Sequence, residues 1–281
     1  ILATGLRFYY HVSEADDTTQ LNNVIDQINA QGVATIGIRQ RLIAASVDSL
    51  ATTTSKVTSL NNERTEMIWQ KSSDWTPGEL AANVAAVYTF EEQGAAFRLN
   101  FNGYGNDPDT SNYWRVPAPR TSGVAPTPLQ IEAALNSGIT PIKIEAGGKT
   151  SLVKRITTRF KSGAVVDYRI RESHKVTVED RFADDLGIAT ALVMAGKQIA
   201  TDPVANDPPV PGAMTPTAYR ALVFQMIREY DGNGRLQDAA KIILETVVQI
   251  EPATPDRISA LVPLRPINIW NSTAIRVDQV A

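Results

Sequence analysis

The 281-residue chain has no cysteine and only two histidines, His11 and His174. The first absence removes disulfides, thiol nucleophiles and thiolate metal sites together. The second leaves few bases for a Ser-His-Asp arrangement, and no Gly-x-Ser-x-Gly elbow accompanies them. His174, between Ser173 and Lys175 in a polar stretch, reads as a solvated surface histidine. There is no apolar run of the roughly 18 residues that a membrane span requires. Charge of one sign is missing too: 27 Lys and Arg stand against 30 Asp and Glu, a net of −3, so no overall field draws the chain to nucleic acid. The chain opens at Ile1, not at methionine, and shows no basic, apolar leader, so residues upstream of it are expected.

What is present, 43% hydrophobic and 20% charged residues, suits a globular protein with one large or two ordinary cores. Leu6, Phe8, Tyr10 and Val12 alternate within Leu2–Val12, the period of a half-buried strand. Asp16, Asp17 and Thr18 offer a helix cap, and Leu21, Val24, Ile25 and Ile28 follow at helical spacing as far as Gly32. The apolar run Val33–Ile38 predicts a second strand beside the first, completing a βαβ unit. A helix over Asp48–Asn61, a strand within Asn62–Trp69 and a helix opened by Thr76, Pro77 and Glu79 continue the alternation. Residues 97–128, rich in Gly, Pro, Asn and aromatics, predict a long irregular connection.

A short helix over Leu129–Leu135, ended near Gly138, and a strand over Ile139–Ile144, stopped at Gly147 and Gly148, come next. Leu152–Phe160 and Ala164–Arg171 then predict a hairpin around Lys161, Ser162 and Gly163. Its register sets Ile156 opposite Tyr168 and Thr158 opposite Val166 inside, and Arg155 opposite Arg169 outside. Like charges facing each other call for an acidic neighbour. Helices are predicted over Thr177–Ala200 and Thr215–Tyr230, joined by the proline-rich Asp202–Pro211 loop. From Leu236 to Ile250 the pattern fits a helix, yet the β-branched end fits a strand, and both readings stand. Finally Ile267, Ile269, Thr273, Ile275 and Val277 alternate with polar or bulky neighbours, predicting a terminal strand suited to completing another sheet. The fold class is therefore α/β: a mixed sheet with flanking helices over residues 1–175, then an α+β part over 176–281 that ends in an extended strand from about 266 to 280.

Charge is uneven along the chain. Between Lys143 and Lys175 nine basic residues face three acidic ones, whereas Val176–Val210 carries six acids and two bases. Local salt bridges on a solvated surface explain such blocks, and so do complementary patches between neighbouring copies. Candidate reactive motifs are incomplete. Ala146-Gly147-Gly148-Lys149-Thr150 resembles the end of a phosphate loop, but Lys143 stands where the first glycine belongs and a strand follows. Asp231-Gly232-Asn233-Gly234 resembles a calcium loop, but Ile242 occupies the twelfth position, and a helix-ending turn fits better. Glu91 and Glu92, like Asp184 and Asp185, are sequence neighbours that do not converge on one helical face and read as solvated. No catalytic residue, metal ligand or cofactor is expected.

Several stretches together resemble the tail sheath proteins of Mu-like contractile phages. They are Leu60-Asn61-Asn62-Glu63-Arg64, Trp75-Thr76-Pro77-Gly78-Glu79-Leu80 with the alanine-rich run after it, and Thr127-Pro128-Leu129-Gln130-Ile131. Most characteristic is Leu135-Asn136-Ser137-Gly138-Ile139-Thr140-Pro141-Ile142, leading through Gly147-Gly148-Lys149 to Val153-Lys154-Arg155-Ile156-Thr157-Thr158. The resemblance implies an α/β core whose copies stack as hexameric rings around a tail tube, with terminal arms adding strands to a neighbour's sheet. Contraction would then proceed by subunit rearrangement without nucleotide. It implies a structural protein and not an enzyme, in contact with itself, the tube, the baseplate and the tail terminator, located in the virion after assembly in the host cytoplasm. The expected contact residues are Arg155, Arg169, Ile267, Ile269, Ile275 and Val277. Two other readings are an α/β hydrolase or phosphate-binding enzyme, which needs a deep polar pocket at strand ends, and a bacterial injection-machine component of the same fold.

Overall fold

The computed structural model describes residues 8–33, 36–93, 98, 100–105, 114, 118–145, 148–167, 171–204, 208 and 210–269. The chain forms two compact units, one containing the described residues up to Val176 and the other Thr177–Asn268.

The first unit is a sheet covered by helices on both faces. In chain order it contains β1 (Tyr10–Val12), α1 (Thr18–Gln31), β2 (Arg41–Ser46), α2 (Leu50–Leu60), β3 (Thr65–Trp69), α3 (Pro77–Gln93), α4 (Pro128–Asn136), β4 (Thr140–Ile144) and β5 (Thr150–Leu152). The strands lie in the order β1-β2-β3-β4-β5, the first four parallel and β5 antiparallel to β4. Because side chains alternate across a strand, Leu42, Ala44, Met67 and Trp69 pack on one face with Leu21, Ile25 and Ile28 of α1, Val57 and Leu60 of α2 and Ala134 of α4. Ile43, Ala45 and Ile68 pack on the other with Leu80, Val84, Val87 and Tyr88 of α3. Every residue of β2 and β3 is buried, as expected of strands covered on both sides.

Polar caps fix where the helices begin. The Asp17 side chain accepts from the backbone N–H groups of Thr19 and Gln20, and that of Ser49 accepts from Thr52. Thr76 with Glu79, and Thr127 with Gln130, form reciprocal capping boxes at the starts of α3 and α4. Gly138 lets α4 turn into β4: its φ is +78°, and a Cβ there would lie 3.0 Å from the Thr158 carbonyl oxygen.

The βαβ unit exists, but its second strand is Arg41–Ser46 and not Val33–Ile38. After α1 the chain turns, with the N–H groups of Ile36 and Gly37 both donating to the Val33 carbonyl, and Ile36 is exposed. Residues 34–35 lie outside the described set, as do 1–7 of the expected first strand. The expected hairpin is also corrected. Thr150–Leu152 belongs to the main sheet, and a separate small hairpin pairs β6 (Lys161–Ser162) with β7 (Val165–Val166). Its partners are Lys161↔Val166 and Ser162↔Val165, with Ile156 bridging Glu172, so Thr158 does not face Val166 and the turn is Gly163-Ala164. Tyr168 and Arg169 lie outside the described residues.

Helix α5 (Ser173–Met194) begins in the first unit and continues in the second. The second unit then contains β8 (Gln198–Ile199), β9 (Ala213–Met214), α6 (Pro216–Gly232), α7 (Ala239–Glu245), β10 (Val247–Glu251) and β11 (Thr254–Leu261). Thr215 caps α6, whose inner face buries Tyr219, Val223, Met226, Ile227 and Tyr230. Tyr230 packs edge-on against Phe182 at 5.1 Å and donates to Asp185 at 2.5 Å. Residues 236–250 resolve into both predicted states, a helix to Glu245 and a strand from Val247, with Thr246 at the junction.

Candidate assembly edges and a buried ion network

The stretches that carry the family resemblance meet in space. Asn61, the C-cap of α2, accepts with its side-chain oxygen from the N–H groups of Phe160 and Lys161. The Thr158 hydroxyl donates to the Asn62 carbonyl at 2.9 Å and accepts from the Asn62 N–H at 3.0 Å, while the Thr158 N–H donates to Thr65. The Thr140 hydroxyl bonds both backbone groups of Ile156. Leu60–Arg64 and Arg155–Thr158, almost a hundred residues apart, therefore stitch the chain across the ends of β3 and β4. These polar residues are inward-facing seams, since Thr140, Thr157 and Thr158 are fully buried.

Arg155, expected on an outer face opposite Arg169, is instead 4% exposed and lies in an ion network. Its guanidinium holds Glu66, with Nη2 to Oε1 at 2.7 Å, pairs with Glu92, and stacks 3.6 Å from the Tyr88 ring centroid. Glu66 also takes Arg41 at 2.9 Å and the Ser173 hydroxyl, and Arg41 reaches the Ser173 carbonyl at 3.2 Å. The Tyr10 hydroxyl donates to Glu92 and accepts from Arg155 at 3.0 Å. An acidic neighbour does stand by Arg155, but it comes from β3 and α3.

Burial works against the charge on Glu66, yet Arg155 and Arg41, with hydrogen bonds from Arg155 and Ser173, hold it below the usual carboxylate range. Burial pushes the Tyr10 and Tyr88 phenols well up, so both stay neutral. Two guanidinia and two carboxylates thus cancel inside the protein.

The acidic pair Glu91 and Glu92, read as solvated, is buried as well: Glu92 lies in this network, and Glu91 holds Arg98 at 2.9 Å and the Tyr104 hydroxyl at 3.0 Å. His174, read as a surface histidine, is 3% exposed beside Glu172. Burial likewise opposes the Glu172 charge, but Lys154, His174 and Lys175 hold its carboxyl low. With Arg159 on Glu63 and Lys143 on Glu145, much of the basic run is neutralised within the chain.

Position matters for what this network can do. Tyr10, Arg41 and Glu66 sit at the amino ends of three adjacent parallel strands. Ligands in open α/β sheets gather at the carboxyl ends. The charged members of the network, Arg41, Glu66, Glu92 and Arg155, are buried and spent on one another. Of the glycine-lysine segment, Gly148 and Lys149 lead directly into β5, with Ile144 pairing with Thr150 and the Glu145 N–H bonding the Lys149 carbonyl, while residues 146–147 lie outside the described set. The Asp231–Gly234 segment ends α6, with the Asn233 N–H on the Glu229 carbonyl. Among the described residues, no group of three or more His, Asp or Glu is placed to hold a metal ion, and no helix is long and apolar enough to cross a membrane.

The strand edges differ. The outer side of β5 is sealed: Gly103 donates to the Leu152 carbonyl at 2.7 Å, Leu152 donates to Tyr104, and the Trp114 indole donates to the Thr150 carbonyl at 2.8 Å. Gly105 permits this approach, with φ +107° and the Trp114 Nε1 only 2.1 Å from where a Cβ would stand. In the second unit, β10 and β11 pair only with each other among the described residues. The cross-strand partners Val247 and Leu261 are 47% and 70% exposed, and Leu244 just before them is 84% exposed. Ile267 donates to the Arg235 carbonyl, and it and Ile269 lie in a non-strand segment, so the expected strand does not start at Ile267. Ile275 and Val277 lie outside the described residues.

No family model matches the sequence, and no curated protein matches it. Solved structures do. The sheath tail protein of Desulfitobacterium hafniense superimposes with a TM-score of 0.60 at 11% identity, over 95% of this chain and 58% of that one. That of Listeria innocua gives 0.64 at 12%, over 95% and 55%. The sheath of an extracellular contractile injection system, in its contracted state, gives 0.63 at 12%, over 99% and 73%. The chain thus spans less than three fifths of the two bacterial sheath proteins. Its mixed sheet with flanking helices is the fold of the contractile sheath proteins.

Proposed function

We propose that the chain is a structural subunit of a contractile tail sheath, with no catalytic role. Copies stack as hexameric rings around a tail tube, bounded by baseplate and terminator, and rearrange on contraction to deliver a genome. In this reading the sheath forms in the host cytoplasm and resides in the virion. The part up to about residue 175 serves as the rigid core and the rest as the joining part.

The observation that carries this reading is the β10–β11 hairpin. A two-stranded sheet is marginal in water, and among the described residues this one has no further strand on either side, with Val247 and Leu261 exposed at its end. An extended segment of another copy completes such a sheet through main-chain hydrogen bonds that persist while rigid bodies rotate. The terminal residues 270–281, with Ile275 and Val277, are the segment we assign to that role. The enzyme alternative needs free ionisable groups at the carboxyl ends of strands, whereas those seen are buried and paired at the amino ends. The presence of the same fold in an extracellular injection system favours one variant of the proposal, in which the ejected cargo is not a genome.

Negative-stain microscopy of the purified protein is the test: rings or tubes are expected, and removing residues 270–281 should leave a folded, soluble monomer. Tubes formed by the truncated protein would exclude the terminal segment as the joining strand.

A further inference from the structure

Strand β1 has three residues and, among the described residues, one neighbour, β2, with Tyr10 beside Arg41 and Val12 beside Ile43. Its sequence does not specify that register through hydrophobicity. Leu6, Phe8, Tyr10 and Val12 alternate, so a slip by two residues returns an aromatic or aliphatic side chain to the place Tyr10 holds, and with Phe8 and Val12 both exposed little apolar burial distinguishes the alignments. A two-residue slip would move the strand by about 6.6 Å.

One atom breaks this degeneracy. The Tyr10 hydroxyl is the hydrogen-bond donor to Glu92 and the acceptor for Arg155 Nη2 at 3.0 Å. Phe8 or Val12 in its place would present carbon to a buried carboxylate and a buried guanidinium, and such lost partners inside a protein are costly. Glu92 is 2% exposed and Arg155 4%, so water cannot readily replace the hydroxyl.

We propose that Tyr10 is the register pin of β1: its hydroxyl, read by Glu92 and Arg155, selects one alignment of the strand against β2 from a set that hydrophobic burial treats as equal. The pin fixes how far along the sheet edge the chain preceding Tyr10 is placed. It works whether or not the protein polymerises.

The cysteine-free sequence makes the test clean. The pair Val12→Cys with Ile43→Cys reports the observed register, and Val12→Cys with Ala45→Cys reports the slipped one. In the observed register Val12 and Ala45 are separated by about 8 Å, beyond disulfide reach. In the otherwise unaltered chain only the first pair should close under mild oxidation. Moving the hydroxyl by two residues, with Phe8→Tyr and Tyr10→Phe together, should reverse the pattern, closing the second pair in place of the first. Tyr10→Phe alone should let the second pair close to at least a tenth of the yield of the first. Should the exchanged protein not fold by circular dichroism, Tyr10→Phe alone decides. If the hydroxyl can be moved or removed and the first pair still closes exclusively, Tyr10 contributes packing and not register, and the proposal is overturned.

Discussion

In the first unit every residue of β2 and β3 is buried, and the charges that enter the interior meet opposite charges there. In the second unit the longest strand, β11, has, among the described residues, a strand partner on one side only and ends on an exposed leucine. Both units obey the same rules of burial and backbone pairing, but they satisfy them to different degrees. The first pairs its buried Arg41 and Arg155 with Glu66 and Glu92 from its own strands and helices. The second, among the described residues, leaves the β10–β11 pair without a third strand and Leu244, Val247 and Leu261 exposed. On the proposed reading, the contrast separates residues that keep a subunit folded from residues that would join subunits, and polar character alone does not tell the two apart.

Several variants would break or sharpen that contrast. The largest effect is expected from Glu66→Ala, which removes the carboxylate shared by two buried guanidinia and should cost about 3–5 kcal/mol of subunit stability in urea melts. Acid should expose the same dependence. Because Glu66 is held low in the folded state, its contribution is complete above the ordinary glutamate value of about 4.3 and is lost as pH falls through the lower folded value. Glu66→Gln should lack that acid limb, so identical acid melts for the two proteins would contradict the electrostatic account.

Next comes the hairpin. Val247→Lys with Leu261→Glu, an opposite-charge pair across the strands, should leave subunit stability within about 0.5 kcal/mol while reducing sedimentable polymer more than tenfold. Normal polymer yield would show that the open end of β10–β11 is ordinary surface. Thr127→Ala removes one half of a capping box and should cost about 1 kcal/mol of subunit stability, read as a shifted urea midpoint. The smallest effect belongs to Arg257→Ala: its pair with Glu251 is solvent-exposed, so a change below about 1 kcal/mol is expected.

Much of this architecture can be read from sequence, where the signal is local. The caps Asp17, Thr76 and Thr215, the helical spacing of Leu21, Ile25 and Ile28, and the turn at Gly138 each act within a few residues. Strand β2 escaped because its apolar stretch is short, begins with a buried arginine and includes the small residues Ala44 and Ala45, while Val33 and Ile36 supply a stronger apolar signal in what proves to be a turn. The ion network was illegible for a deeper reason. Arg155 finds Glu66 some ninety residues away, and Glu92 finds Tyr10 at a similar separation. A tally of charges along the chain therefore reported a basic patch where the folded protein has largely neutralised pairs. Glu91 and Glu92, though adjacent, are both drawn inward because each has its own distant partner. The hairpin β10–β11 was half visible, its first strand overlapping a helical pattern that in fact ends one residue before Thr246.

The cover over β5 has a consequence for crowding. With Gly103, Tyr104 and Trp114 occupying that flank, the central sheet offers no template there for fusing with a neighbour's. Subunits pressed together at high local density are thereby kept from merging side to side into an endless ribbon on that flank, and any ordered growth must pass through other contacts.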